Sequence, residues 1–285
     1  MLASDLCPLL SEEGFEVIAL SRMQLDITDA SMVRDVVEGI KPWCVVNCAA
    51  YTRVDDAEDE KDLAFSVNAA GAGNLAMTAG RVGARLVHVS TDFVFDGEKN
   101  VPYKEDDAPN PLNTYGMSKL QGERLVRDGT DDYIIIRSSW LYGPGGDNFV
   151  KRIISKAGEC EELSVVYDQV GSPTYTADLA AAVLHLMEEA PAGVYNFSNE
   201  GVASWYDLAY MAVEAARAKG VSLKLRRLKP ILTEEYPTPA KRPRYSVLDK
   251  ERYRDTTGIA IAHWVDALSR YVDSMWQGRR TGGGV

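Results

Sequence analysis

A chain of 285 residues is too long for a disulfide-stapled mini-protein and too short for three ordinary domains, which leaves one or two packed domains. Hydrophobic residues at 46% and charged residues at 26% exclude a disordered, collagen-like or fibrous chain. The balance of 31 Lys+Arg against 42 Asp+Glu, a net charge of −11, argues against nucleic-acid and anionic-membrane partners, though not against a small anionic ligand held by a few local cations. The four cysteines, Cys7, Cys44, Cys48 and Cys160, form no CxxC pair and no Cys/His cluster of zinc spacing, so a reduced, cytoplasmic protein without a metal centre is expected. No apolar run reaches the roughly 20 residues a bilayer requires, and an N-terminus interrupted by Asp5 and Pro8 does not read as a signal peptide.

The first residues, 2–10, read as the tail of a helix that Gly14 stops, and 16–20 (Glu-Val-Ile-Ala-Leu) as a buried strand. Asp29 then caps a helix carrying Val33, Val36, Val37 and Ile40, and Cys44-Val-Val-Asn-Cys-Ala-Ala50 is the near-continuous apolar run of a parallel strand covered on both faces. A helix over 61–82 leads to a strand over 85–90, and a helix over 115–127 leads to a strand over 133–140. Strands alternating with helices at this spacing predict an α/β fold with a doubly wound, Rossmann-like parallel sheet. After Trp140 the texture changes to Gly- and Pro-rich loops around helices at 177–189 and 205–218. The expected layout is a dinucleotide-binding domain over 1–142 plus part of 160–195, a smaller substrate lobe over 143–278, and a disordered tail over 279–285.

The strongest chemical signal is Tyr115-Gly-Met-Ser-Lys119, a Tyr and a Lys four apart on one helix face. A phenol is a poor acid–base catalyst at neutral pH, and an ammonium beside it favours the phenolate. Ser90-Thr-Asp92 ends a strand, where an open α/β sheet places its ligand contacts, and the Thr91 hydroxyl could share a carbonyl oxygen that Tyr115 protonates. Each assignment has a plainer counterpart: Asp26 could begin a turn, Asp92 could cap one, and Trp140 could be core. Lys241, Arg242 and Arg244 could grip a diphosphate or form a solvated loop. His88, His185 and His263 sit in apolar or helical patterns and read as structural.

Taken together the motifs resemble the extended short-chain dehydrogenase/reductases, and within them the dTDP-4-dehydrorhamnose reductases. The resemblance rests on Leu25-Asp-Ile-Thr-Asp29, Asn47-Cys-Ala-Ala-Tyr-Thr52, Val67-Asn68, Ser90-Thr-Asp-Phe-Val-Phe-Asp-Gly97, Pro111-Leu-Asn-Thr-Tyr-Gly-Met-Ser-Lys119, Arg137-Ser-Ser-Trp140, Asp168-Gln-Val-Gly-Ser-Pro-Thr-Tyr175 and Arg242-Pro-Arg-Tyr-Ser246, in the family's order. It implies reduction by NADPH or NADH of the C4 ketone of a dTDP-sugar, dTDP-4-dehydro-6-deoxy-L-mannose. Tyr115 would be the proton donor, Lys119 would hold the nicotinamide ribose and lower the Tyr115 pKa, and Thr91 would share the carbonyl oxygen. Family cofactor contacts fall on Asp26, Ile27, Ala50, Tyr51 and Thr52 as well as Tyr115 and Lys119, and substrate contacts on Thr91, Asp92 and Trp140. No metal site is implied in the chain; some relatives use Mg²⁺ at a dimer interface, which the sequence does not support, and a homodimer stays open. Ser21-Arg22 stands where an acidic reader of an NAD ribose is usual, which leans the reading to NADPH through an Arg22 contact to a 2′-phosphate.

The sequence departs from the pattern at its start, where the first strand and the glycine-rich turn of a Rossmann half are not found. In the expected order 3-2-1-4-5-6 that strand would lie between 17–20 and 45–48. Three explanations stand: Met1 is an internal methionine, the chain is a truncation that binds cofactor weakly, or it is a non-catalytic relative resembling the regulatory subunit of methionine adenosyltransferase. Another sugar-nucleotide reductase or epimerase with the same Thr/Tyr/Lys chemistry is the remaining enzymatic alternative.

Overall fold

A computed structural model describes residues 1–281. Helix α1 (Leu2–Glu12) buries Leu2, Leu6 and Leu10, a single stripe at four-residue spacing. Helix α2 (Ala30–Ile40) starts where the Asp29 carboxylate accepts the Ser31 and Met32 amides, and ends on Lys41 in the left-handed region at φ 52°. Strand β1 (Cys44–Asn47) is next, then α3 (Lys61–Phe65), a π-helical segment (Ser66–Gly71) and α4 (Ala72–Val82). After these come β2 (Arg85–Thr91), α5 (Thr114–Gly129) and β3 (Tyr133–Ser138). The expected helix over 61–82 is thus one element interrupted by a π turn, a feature that apolar periodicity does not register.

The main sheet is parallel in the order β1-β2-β3-β8, where β8 spans Gly193–Asn196. Its central strands are apolar on both faces because both are covered. Ile134, Ile136 and Val87 join Leu6, Leu10, Leu179 and Val183 in one cluster, while Ile135 and Leu86 join Val33, Val37, Leu75 and Ala79 in another. Helices α1 and α7 (Thr176–Glu189) therefore lie on one side and α2, α4 and α5 on the other. The Rossmann-like, doubly wound arrangement expected from the sequence is borne out.

Two expectations are corrected. The residues 16–20 form no strand, and Ile18 and Leu20 are 51% and 39% exposed. An apolar run becomes a strand only when another strand supplies its ladder, and among the described residues β1 pairs with β2 alone. At the other end, α10 (Trp264–Thr281) continues through the first residues of the expected disordered tail, and the remainder of that expectation, 282–285, lies outside the described residues.

After β3 the chain adds the short strand β4 (Leu141–Tyr142), α6 (Phe149–Glu159), β5 (Glu162–Val166), β6 (Val170–Gly171) and β7 (Thr174–Tyr175). Beyond β8 come β9 (Ala203–Ser204), α8 (Trp205–Ala218), β10 (Arg227–Ile231) and α9 (Glu251–Thr257). Helices α6, α8 and α10 build their own apolar clusters, and β10 runs parallel to β5.

Helix α5 is locked to the sheet by a buried ion pair. Glu123 and Arg137 are each 1% exposed, and the guanidinium meets the carboxylate through two hydrogen bonds of 2.9 and 2.8 Å. Ser90 donates to the same carboxylate at 2.6 Å, and the third face of Arg137 donates to the Glu105 carbonyl at 3.0 Å. With every polar atom partnered the pair is tolerable inside a dry interior; with one partner gone the other is an uncompensated buried charge. Glu123→Ala is expected to destabilise the protein by about 3–5 kcal/mol in urea unfolding, and Glu123→Leu combined with Arg137→Met to recover most of that loss.

Candidate active site

The carboxyl end of β2 turns sharply because Thr91 caps the short 3-10 turn Asp92–Val94: its hydroxyl accepts the Phe93 amide at 3.2 Å and donates to Asp92 at 3.0 Å. Asp92 is 1% exposed, and its Oδ2 has no hydrogen-bond partner among the described residues. Burial pushes this carboxyl up to about 6, against the Ser246 and Thr91 hydroxyls that favour the charged form.

The first turn of α5 faces this point. Asn113 caps the helix by accepting the Gly116 amide at 2.8 Å, and the Glu58 carboxylate accepts from the Thr114 amide at 2.8 Å. The approach is close enough that a Cβ on Gly116 would come within 2.2 Å of the Phe93 carbonyl oxygen. Tyr115 therefore packs edge-on against Phe93 with ring centres 5.7 Å apart, and beside Tyr51 and its neighbours. Burial pushes the Tyr115 phenol up to about 12; the adjacent Thr91 hydroxyl opposes that shift and the Asp92 charge adds to it. Thr91, Asp92 and Tyr115 thus lie together.

Lys119, one turn further on, is buried and turned toward β2. Its Nζ donates to the Val89 carbonyl at 2.6 Å and lies 3.3 Å from His88 Nε2. Burial pulls Lys119 down to about 8, with Glu123 and Cys48 opposing. Burial is the largest cause of the shift in both Tyr115 and Lys119. His88, expected to be structural, is buried between Asn47 and Lys119, and the signal available for that neighbourhood was its position two residues before Ser90.

At the end of β1, the backbone of Tyr51 is clamped by Asn68, which accepts its amide at 2.8 Å and donates to its carbonyl at 3.0 Å. Asn68 also donates to Ser118 of α5 at 2.9 Å, so the π-helical segment ties this loop to the helix bearing Tyr115. A Cβ on Gly122 would sit 2.1 Å from the Asn68 carbonyl oxygen, which is how near the two elements run. Asn68 carries this positioning role, and its place in the Val67-Asn68 pair was the only trace of it in the sequence. Ala50 is partly exposed and Thr52 exposed beside Tyr51, leaving a pinned loop open to a ligand.

Asp26 binds the Thr28 amide and hydroxyl at 3.0 and 2.7 Å and lies 3.7 Å from Arg22, so the turn-forming alternative for its carboxylate is realised. Ile27 is buried against Gly71 and gives its carbonyl to Asn74. Arg22 is 76% exposed. Of the three cations near 242, Arg242 is engaged by Asp55 through bonds of 2.9 and 2.7 Å, a clasp between two loops, whereas Lys241 and Arg244 are exposed.

Trp140, just past β3, is neither simple core nor a free platform. It adopts φ 50°, a conformation unusual for a bulky residue, and stacks on Trp205 with ring centres 3.7 Å apart and planes 7° from parallel. A Cβ at Gly171 would lie 2.8 Å from the same indole. Trp205, from α8, was not anticipated; no local pattern links it to Trp140.

The described residues hold no group of His, Cys, Asp and Glu that could bind a metal ion, and no helix among them is long and apolar enough to cross a membrane. The residues do fit a dinucleotide: a pinned loop at the end of β1, and a half-buried tyrosine and a buried lysine on the helix beside the end of β2.

Comparison with known proteins adds a family. Residues 1–277 match the model of the RmlD substrate binding domain. The chain is 44% identical over 271 residues to the spore coat polysaccharide biosynthesis protein SpsK of Bacillus subtilis, covering 95% of this chain and 93% of that one. It is 41% identical over 274 residues to the dTDP-4-dehydrorhamnose reductase of Aggregatibacter actinomycetemcomitans, covering 94% and 93%. Among solved structures it resembles the dTDP-4-dehydrorhamnose reductase of Bacillus anthracis in complex with NADP, with a TM-score of 0.91, 40% identity, and coverage of 96% and 95%.

The raised Asp92 carboxyl has a consequence for stability. Between its ordinary value near 4 and about 6 the folded protein binds the proton more tightly than the unfolded chain, so this group's contribution is present at low pH and is lost as pH rises through that window. Asp92→Asn is expected to narrow the fall in unfolding free energy between pH 4 and pH 7 by up to about 3 kcal/mol, read from urea titrations at the two pH values.

Proposed function

The chain belongs to the RmlD substrate-binding-domain family, and from that premise we propose that it is a reductase that converts dTDP-4-dehydrorhamnose to dTDP-L-rhamnose, with NADPH preferred and NADH accepted. The observation that carries this reading is Tyr115, kept protonated by burial, beside the Thr91 hydroxyl.

NADPH, when bound, supplies a hydride to the C4 carbonyl carbon of the sugar. Tyr115 donates its phenolic proton to the carbonyl oxygen, and Thr91 shares that oxygen, so the developing alkoxide is neutralised as it forms. Lys119 holds the nicotinamide ribose. Asp26, Ile27, Ala50, Tyr51 and Thr52 border the dinucleotide, and the exposed Arg22 meets its 2′-phosphate. Asp92 and Trp140 contact the sugar. The reading extends to a cytoplasmic homodimer, the location being supported by four unpaired cysteine thiols.

Two outcomes test this. Purified protein mixed with NADPH and dTDP-4-dehydrorhamnose is expected to oxidise the cofactor stoichiometrically and release dTDP-L-rhamnose; no oxidation overturns the assignment. Tyr115→Phe is expected to lower kcat by about 10²–10⁴-fold while the sugar nucleotide still binds. The reduction rate is also expected to fall above pH about 8, as Lys119 loses the proton it carries below that value.

A further inference from the structure

Asn47, His88 and Lys119 form a buried chain whose hydrogen-bond polarity is determined by its far end. Asn47 Oδ1 accepts the Ala49 amide at 3.0 Å, so its amide cannot be reversed without setting two donors against each other. Its Nδ2 then faces His88 Nδ1 at 3.1 Å as a donor. A neutral imidazole that accepts at Nδ1 carries its proton on Nε2, and Nε2 is the atom 3.3 Å from Lys119 Nζ. His88 is 1% exposed, and both burial and the nearby Lys119 charge hold it neutral.

We propose that Asn47 and His88 are positioning residues for Lys119: Asn47 selects the Nε2–H tautomer, and His88 thereby presents a donor rather than an acceptor to the lysine nitrogen. An ammonium has no lone pair to receive that N–H, whereas an amine does. Lys119 consequently gives up its proton more readily than a lysine facing an acceptor. This rests on the reductase reading, in which the phenolate left when Tyr115 protonates the substrate must recover a proton. When the Lys119 ammonium releases a proton to the site, the neutral amine left behind accepts His88 Nε2–H. The other titratable groups around the lysine are Cys48, past the end of β1, and Glu123, on its own helix, both of which favour the ammonium and so oppose His88.

The test is an NMR titration of protein labelled at lysine side chains and histidine nitrogens, without sugar nucleotide, with Lys119 assigned through Lys119→Arg. The unmodified protein is expected to show His88 protonated at Nε2 alone; protonation at Nδ1 or a charged ring overturns the proposal whether or not any variant folds. His88→Leu is expected to raise the Lys119 midpoint by about one pH unit. Asn47→Ala, which touches no atom of Lys119, is expected to do the same, and the double variant to give no more than either single one. An unmoved midpoint in the folded variants, or additive shifts, overturns the coupling. The pH limit of NADPH oxidation is expected to track the titration. If the midpoint shifts while no substrate is reduced, the lysine pairing stands and the reaction assigned to it falls.

Discussion

Glu123 and Arg137 meet in a space from which water is excluded, and that single pairing aligns three elements at once. Glu123 belongs to α5, Arg137 to β3, and Ser90, which shares the carboxylate, to β2. Neither charge could remain buried without the other, so α5 has little freedom to slide or rotate against the sheet. Tyr115 and Lys119 lie two and one turns before Glu123 on the same helix, and Thr91 comes directly after Ser90. The placing of Tyr115 against the end of β2 therefore depends on this buried ion pair.

Around that anchor, close backbone approach does what side chains could not. Gly116 and Gly122 let α5 lie against the Phe93 and Asn68 carbonyls at separations that any Cβ would violate. The π-helical turn at Ser66–Gly71 brings Asn68 to a position from which one amide grips the loop after β1 and Ser118 of α5. Loop, helix and strand end are thus tied to one another. The result is a cluster of polar groups shifted by desolvation: Asp92 and Tyr115 toward their protonated forms, Lys119 toward its neutral one.

Much of the fold was legible because the central strands are apolar on both faces and the helices between them are capped by identifiable residues such as Asp29 and Asn113. Thr91, Asp92 and Tyr115 were legible as neighbours because a parallel sheet gathers its strand ends on one side. The run at 16–20 failed for a physical reason: a strand is a property of a pair, and its composition is blind to whether a neighbour is present. Asp26 and Arg242 were ambiguous between ligand contact and local structure, and each is engaged by a protein partner, Thr28 and Asp55.

Sequence alone determined the chemical repertoire: a tyrosine and a lysine on one helical face, a threonine at a strand end, and a chain apolar enough to bury them. Local rules of periodicity, capping and spacing reach that far because they act over a few residues. Tertiary structure decided which groups each of these faces. That Lys119 turns to His88, that Asn47 sets the tautomer of that histidine, and that Trp140 meets Trp205 and Gly171 are contacts between residues far apart in the chain. Their geometry arises only when the sheet and its covering helices exclude water together, and burial rather than the identity of the residue then sets the charge each group carries.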